Sequence, residues 1–384
     1  MAAHALLSPS SAHRWLHCTA SPRLEEHEED KGSIFAQEGT LAHAYCARAL
    51  KRFLGLPTDG EDAEIDSLSE LHDNAMDEHV AGYAATVLGK LEAARKKTPD
   101  ARLLVETRLD FSEWVPEAFG TADAVIIADG VMDVIDFKYG RGVRVDADNN
   151  PQMMIYALGA LRLFDLEYGI SQVRMTIVQP RLDHVSEWET SAAELLSWAE
   201  RTLRPKAKEA WDGNGHQEPG DWCRFCKIRP RCKALANMCQ QTQANFSDPR
   251  LLTADQIAEK VLPYLTVIKS WVSDVEEYAL QQALDGVAFT GWKVVEGRSV
   301  RRVTDPKAVA ATLGAAGYTE DSYLRPRELK TITDLEKTIG KKRFGELCAT
   351  WLEKPQGKPT LVPESDKRPP LNSAARDFDE ILNS

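Results

Sequence analysis

Nowhere does the sequence hold an apolar run near the roughly 18 residues that a membrane-crossing helix requires. Its opening, "MAAHALLSPSSAHRWLHC", lacks a charged segment followed by an apolar one, the pattern of a secretory leader. It also lacks G-x-x-x-x-G-K-[ST], which excludes a phosphate-loop motor, and it has no internal repeat. Positive charge is scarce: 47 Lys and Arg face 59 Asp and Glu, for a net charge of −12. That balance counts against a phosphate-rich partner, because phosphate contacts need Lys and Arg. From these absences we expect a soluble, cytoplasmic protein with no membrane partner.

The distribution of charge weakens the objection to nucleic acid. Asp59 to Glu78 holds nine acids and no Lys or Arg, which accounts for most of the excess and reads as a solvated face or loop. Arg201 to Lys233, in contrast, holds nine Lys or Arg against four acids. The seven cysteines are unevenly placed, with Cys223, Cys226 and Cys232 in "DWCRFCKIRPRCKALA". In a cytosolic protein such a cluster points to a metal rather than to disulfides. The C-x₂-C-x₅-C spacing supplies three thiolates, one short of a four-thiolate site for zinc or for an iron–sulfur cluster.

A length of 384 residues and an apolar share of 43% suit one large domain or two ordinary ones. The first hundred residues read as helical, with "GTLAHAYCARALKRFLG" starting after Gly39 and "DNAMDEHVAGYAATVLGKLEAARKK" as a long helix. Then "ARLLVETRLDF", "GTADAVIIAD" and "GVMDVIDFKYG" read as consecutive antiparallel strands. A helix entered through Pro151, a strand "VRMTIVQPRL" and a helix from "SAAELL" onward complete an α/β core, a mixed sheet flanked by helices. Beyond about residue 245 we expect helices, "TDLEKTIGKKRFGELCATWL" among them, and a hairpin around Glu296-Gly297. The expected organisation is a first domain over 1–240, a mainly helical accessory region over 241–355 and a flexible tail over 356–384.

The chemistry concentrates at "VIDFKYG". Side chains two apart on a strand share a face, so Asp136 and Lys138 project side by side. Alone, such a pair reads as a solvated ion pair. In a hairpin turning near Gly130, however, Asp123 of "GTADAV" lies across from Asp136, and two carboxylates make a hard oxygen site suited to Mg²⁺ or Mn²⁺. A neighbouring lysine can orient or deprotonate a water and stabilise an attacked phosphate. "QEGTLAH" puts Glu38 and His43 on a helix that can offer a further ligand, and "QMMIY" places Gln152 and Tyr156 on one helical face.

The order E-G-x-x-x-H, G-x-x-D, D-x-K and Q-x-x-x-Y, over about residues 34 to 156, resembles the RecB-like branch of the PD-(D/E)XK nuclease superfamily. The resemblance implies a restriction-endonuclease-like core and a metal-dependent DNA exonuclease. In it His43, Asp123 and Asp136 hold Mg²⁺ or Mn²⁺, Lys138 is the catalytic base or electrostatic stabiliser, Glu38 is a further member of the catalytic set, and Gln152 and Tyr156 are substrate-side residues. One departure is that Asp123 follows "GTA" rather than Pro, as is usual in the RecB branch. The cysteines resemble the frame of the AddB-type recombination nucleases and the CRISPR-adaptation nucleases, which implies that Cys18 joins Cys223, Cys226 and Cys232 on one [4Fe–4S] cluster. Zinc remains the alternative metal, Cys46 and Cys239 are alternative fourth ligands, and Cys348 reads as core. The resemblance further implies a phage- or prophage-encoded protein acting in a bacterial host cell on DNA, with a recombination or replication protein as partner. A non-catalytic nucleic-acid-binding or scaffold protein retaining the fold is the competing expectation.

Overall fold

The computed structural model describes residues 5–29, 32–244, 253–297, 301–325, 328–353, 355 and 359–363. The chain divides into two compact units, Met1–Ser270 and Trp271–Ser384, so the division falls some thirty residues beyond the boundary expected near 240. No helix among the described residues is long and apolar enough to cross a membrane.

The first unit is built on a five-stranded sheet in sequential order: β1 (Arg102–Asp110), β2 (Phe119–Ala128), β3 (Val131–Phe137), β4 (Gln172–Gln179) and β5 (His184–Ser191). The first three strands pair antiparallel, as their short connections, with Pro116 in the first and Gly130 in the second, predict. β3 and β4 pair parallel, which requires a crossover, and the helix Pro151–Tyr168 supplies it. β5 lies antiparallel at the edge and was not expected from the sequence. Its residues, "HVSEWETS", alternate exposed with half-buried positions and lack the Val and Ile density that marks the inner strands.

Both faces of the sheet are covered by helices. Val125, Ile127, Met132, Val134, Val173, Met175 and Ile177 pack with the crossover helix. Ala124, Ile126, Ile135, Phe137 and Val178 pack with the helices Ile34–Phe53 and Asn74–Arg95. Each fully buried Val, Ile or Phe contributes about 1.5–3 kcal/mol by removal from water, so the inner strands hold their register through two apolar layers at once. The crossover helix rests close on the sheet: a Cβ on Gly159 would lie 2.9 Å from the Leu109 Cβ.

Ile34–Phe53 begins earlier than expected. Ser33 caps it by accepting from the Ala36 N–H, which places Glu38 and His43 inside the helix rather than at its start. The acid-rich stretch is largely the helix Asp59–Leu68, whose Glu61 and Asp62 pair with Lys51 and with Arg48 and Arg52.

In the second unit, Val309, Leu313, Tyr323, Leu335, Phe344 and Cys348 form a small core, with Cys348 buried as expected. The expected single helix over "TDLEKTIGKKRFGELCATWL" is two, Ile332–Ile339 and Lys341–Cys348, broken at Gly340, whose φ is +88°. Among the described residues the expected hairpin around Glu296-Gly297 does not form. Trp292–Glu296 pairs instead with Pro359–Pro363, and Arg302–Val303 with Leu352–Glu353, so non-local partners replace the neighbouring strand. The tail expected over 356–384 therefore contains a paired strand, and its remaining residues lie outside the described ones.

Candidate functional site

The site lies where β1, β2 and β3 run side by side and one backbone pair fails. The β1–β2 ladder pairs Val105 with Ala124 and Thr107 with Ala122, but skips the Glu106–Asp123 position between them. Glu106 has φ of +47°, in the left-handed region that a non-glycine residue rarely occupies. The break reverses which face the side chains take: Val105 joins the layer under Ile34–Phe53, while Leu109 joins the opposite one. Such local irregularity re-aims side chains. The β2–β3 register, in which Ala124 faces Ile135, carries on to set Asp123 across from Asp136. Three acids thus stand on three adjacent strands.

His43, Glu106 and Asp123 bring ligand atoms within 4.8 Å of one another, a group of the kind that holds a metal ion. Asp123 is held from two sides, with one carboxylate oxygen 3.3 Å from His43 Nδ1 and the other accepting from the Phe137 N–H at 2.7 Å. Beside it, Lys138 Nζ lies 3.0 Å from Asp136 Oδ2 and donates to Gln152 Oε1 at 2.8 Å. The Gln152 amide donates in turn to Asp136 Oδ1 at 3.2 Å, closing a ring of three side chains. Gln152 is set there by the start of the crossover helix, where Asn150 accepts from the Gln152 and Met153 N–H groups and Pro151 occupies the first turn.

Crowding of charge at this depth displaces the titrations. Burial alone opposes a charged imidazole, but the Asp123 carboxylate, with Asp136 and Glu106 beyond it, outweighs this and raises His43 to about 9. Burial, then the nearby Asp123 carboxylate, pushes Glu106 up to about 7. Burial also raises Asp136, against the pull of Lys138. For Asp123, burial is overcome by His43, by the Phe137 N–H and by Lys138, and its carboxyl is held below the usual range. A protonated imidazole wedged among carboxylates stands where a divalent cation would satisfy the same charges.

Not every expected residue joins this group. Glu38 is held by Arg181 at 2.7 Å, on the turn after β4, and Arg181 also lies over the Tyr139 ring. Gln152 and Tyr156, expected on the substrate side, are engaged by neighbouring residues of the chain. Gln152 is spent on Asp136 and Lys138, and the Tyr156 ring is buried against Gly120, its pKa raised by burial and by Asp136. Three contributors escaped the sequence reading. Glu106 was visible only as an acid inside the apolar strand "LLVETRLDF". Arg181 and the buried Gln179 gave no local signal, although Gln179 pins the loop after β3 by donating to the Gly140 and Val143 carbonyls.

The second feature is a pocket lined by Cys18, Cys223, Cys226 and Cys232 together. It forms because two distant segments cross closely. A Cβ on Gly215 would lie 2.3 Å from the Thr19 backbone, and the Ala20 N–H donates to the His216 carbonyl. Glycine is required at that crossing. All four thiols are free, and burial raises Cys18 and Cys223 and pushes Cys226 up to about 12. The Gly220 N–H points at Cys223 Sγ from 3.4 Å, and Arg14 and Arg229 also line the pocket, so donors and cations surround sulfurs that would carry charge as thiolates. Four cysteines lining one pocket are the donor types that a thiolate-bound metal takes, whereas the close-packed group of ligand atoms among the described residues is His43, Glu106 and Asp123. Cys46, buried beside the carboxylates, and Cys239 lie outside this pocket.

Among solved structures the chain is similar to one titled "Crystal structure of SSO0001", at 14% identity, over 58% of this chain and 96% of that one, with a TM-score of 0.23. A likeness of that degree carries no weight for fold or activity. A family match runs over residues 4–369, nearly the whole chain including both units, and on it the protein belongs to the family described as "Protein of unknown function (DUF2800)".

Proposed function

We propose that this protein is a Mg²⁺- or Mn²⁺-dependent DNA exonuclease with a RecB-like PD-(D/E)XK core. The observation that carries the reading is the convergence of His43, Glu106 and Asp123 beside an Asp136–Lys138–Gln152 ring, on three strands whose ladder opens at that point. His43, Asp123 and Asp136 would hold the ion, with Glu106 close enough to share it. When bound, the ion supplies Lewis-acid polarisation of the scissile phosphate. Lys138 places its ammonium beside the carboxylates, where it orients the attacking water and offsets charge gathering on the phosphate. Gln152 holds Lys138 and Asp136 in one geometry, and so preorganises the site. Cys18, Cys223, Cys226 and Cys232 would hold a [4Fe–4S] cluster, with zinc as the alternative, tying the two ends of the first unit together. The setting proposed is recombination or replication of phage DNA in a bacterial cytoplasm.

The test is digestion of linear and covalently closed circular DNA by purified full-length protein. Cleavage of the linear form with Mg²⁺ or Mn²⁺, its loss in EDTA and its loss in Lys138→Ala are expected. Absence of cleavage with every divalent ion, or a Lys138→Ala protein as active as the parent, would overturn the reading.

A further inference from the structure

Most arginines among the described residues are taken up by carboxylates, for example Arg48 and Arg52 by Asp62, Arg181 by Glu38, Arg204 by Glu200 and Arg231 by Glu28. Arg141 and Arg224 are different. Both are exposed, and neither has a carboxylate partner among the described residues. Although Arg224 is 83 positions further along the sequence, its side chain reaches the loop that carries Arg141: Arg224 Nη2 lies 3.6 Å from where a Cβ on Gly142 would sit.

The elements that present them are well anchored. Arg141 and Gly142 belong to the loop that Gln179 pins through the Gly140 and Val143 carbonyls. Gly142 follows Lys138 by four residues, so at most about 14 Å of extended chain separates it from the ammonium. Arg224 and Phe225 are the two residues between Cys223 and Cys226, which line the cysteine pocket. Arg14 donates to the Phe225 carbonyl at 3.0 Å, while the Phe225 ring is 72% exposed and carries the Arg224 guanidinium 5.7 Å from its centroid. A large aromatic ring left in water beside the Arg224 guanidinium has no packing role.

We propose that Arg141, Arg224 and Phe225 form a binding track for single-stranded DNA leading to the site at Lys138. The guanidiniums take backbone phosphates, and the Phe225 ring stacks on a base. Stacking on an exposed ring needs an unpaired base, so the track selects a single strand or a frayed end over an intact duplex. The residues held inside the C-x₂-C turn are thereby given a task, and a metal held by the cysteines around them would act as their scaffold. The destination of the strand rests on the nuclease reading, but binding to the track does not.

The experiment is fluorescence anisotropy of full-length protein without added divalent ion, using an oligothymidylate of about 15 nucleotides and a blunt duplex of equal length, a span suited to single-strand sites. Phe225→Ala should weaken oligothymidylate binding by about fivefold to a hundredfold and leave the duplex nearly unchanged, with Phe225→Trp restoring affinity. Arg224→Ala should weaken both and lower the slope of log K against log salt by about 0.7 on the single strand. Metal content equal to the parent protein's shows that each variant keeps the cysteine pocket. Parent-like oligothymidylate binding by both alanine variants, or an equal loss on the duplex in Phe225→Ala, overturns the track while leaving a Lys138-dependent nuclease intact. Binding that falls as expected in a protein without cleavage would leave the track standing and remove the nuclease.

Discussion

Metal binding at the carboxylate site should be strongly linked to protons near neutral pH. With His43 at about 9 and Glu106 at about 7, the imidazole of the metal-free protein is charged at pH 7 and Glu106 is about half protonated. A divalent ion requires a neutral imidazole and an ionised carboxyl, so binding at pH 7 should release about one and a half protons. Raising the pH to 9 removes Glu106 from the competition, a gain of about twofold, and half-deprotonates His43, a gain of about fiftyfold. Together these make Mn²⁺ bind about a hundredfold more tightly at pH 9 than at pH 7, or about 2.7 kcal/mol. The sign for folding is opposite. His43, raised above 6.5, contributes stability that is complete below that pH and lost as the pH passes about 9. Glu106, also raised, weakens the fold as the pH climbs from 4.5 to about 7, because the unfolded chain ionises first. Metal-free protein should therefore melt at progressively lower temperature from pH 5 to pH 9, while the metal's own stabilisation grows. Titration calorimetry with Mn²⁺ in two buffers of different ionisation enthalpy reads the released protons directly. An affinity that is flat from pH 7 to pH 9, or heats independent of buffer, would refute the charge arrangement assigned to His43 and Glu106.

Cys18→Ser should lose bound metal and lower the melting temperature together, since the site closes a loop of some two hundred residues. Anaerobically prepared parent protein should be brown with about four irons per chain, whereas colourless protein with one zinc would replace the cluster by zinc, and full metal content in Cys18→Ser would move the fourth ligand elsewhere. Asn150→Ala removes the acceptor for the Gln152 and Met153 N–H groups and should cost about 1 kcal/mol, a fall in melting temperature of about 2–4 °C. Loosening Gln152 should also lower cleavage, and a variant as stable and active as the parent would count against the cap. Asp136→Ala and Asp123→Ala should abolish DNA cleavage and retain the circular dichroism of the parent, and robust cleavage by either would remove it from the site.

The residues legible in sequence were those whose meaning is local. Alternation and Val/Ile density marked β1 to β4, and the two-residue period alone set Asp136 and Lys138 on one face, where they lie 3.0 Å apart. Turn length set the β2–β3 register and so placed Asp123 opposite Asp136. C-x₂-C-x₅-C made a cysteine cluster legible, because three of the four cysteines that line the pocket sit on one short segment. What tertiary structure decided was whatever depends on a second segment far away. Glu106 became part of the site through a skipped backbone pair and a left-handed φ, which propensity disfavours and only the surrounding ladders can enforce. Glu38 was drawn to Arg181, 143 positions along the chain, and β5 formed by pairing with β4 rather than by its own apolar content. The convergence of Arg224 on Gly142 likewise depends on the Gly215 crossing that delivers the cysteine segment to the N-terminal one. Spacing along a strand or helix is fixed by backbone geometry, whereas the meeting of remote segments is settled only when the whole core closes.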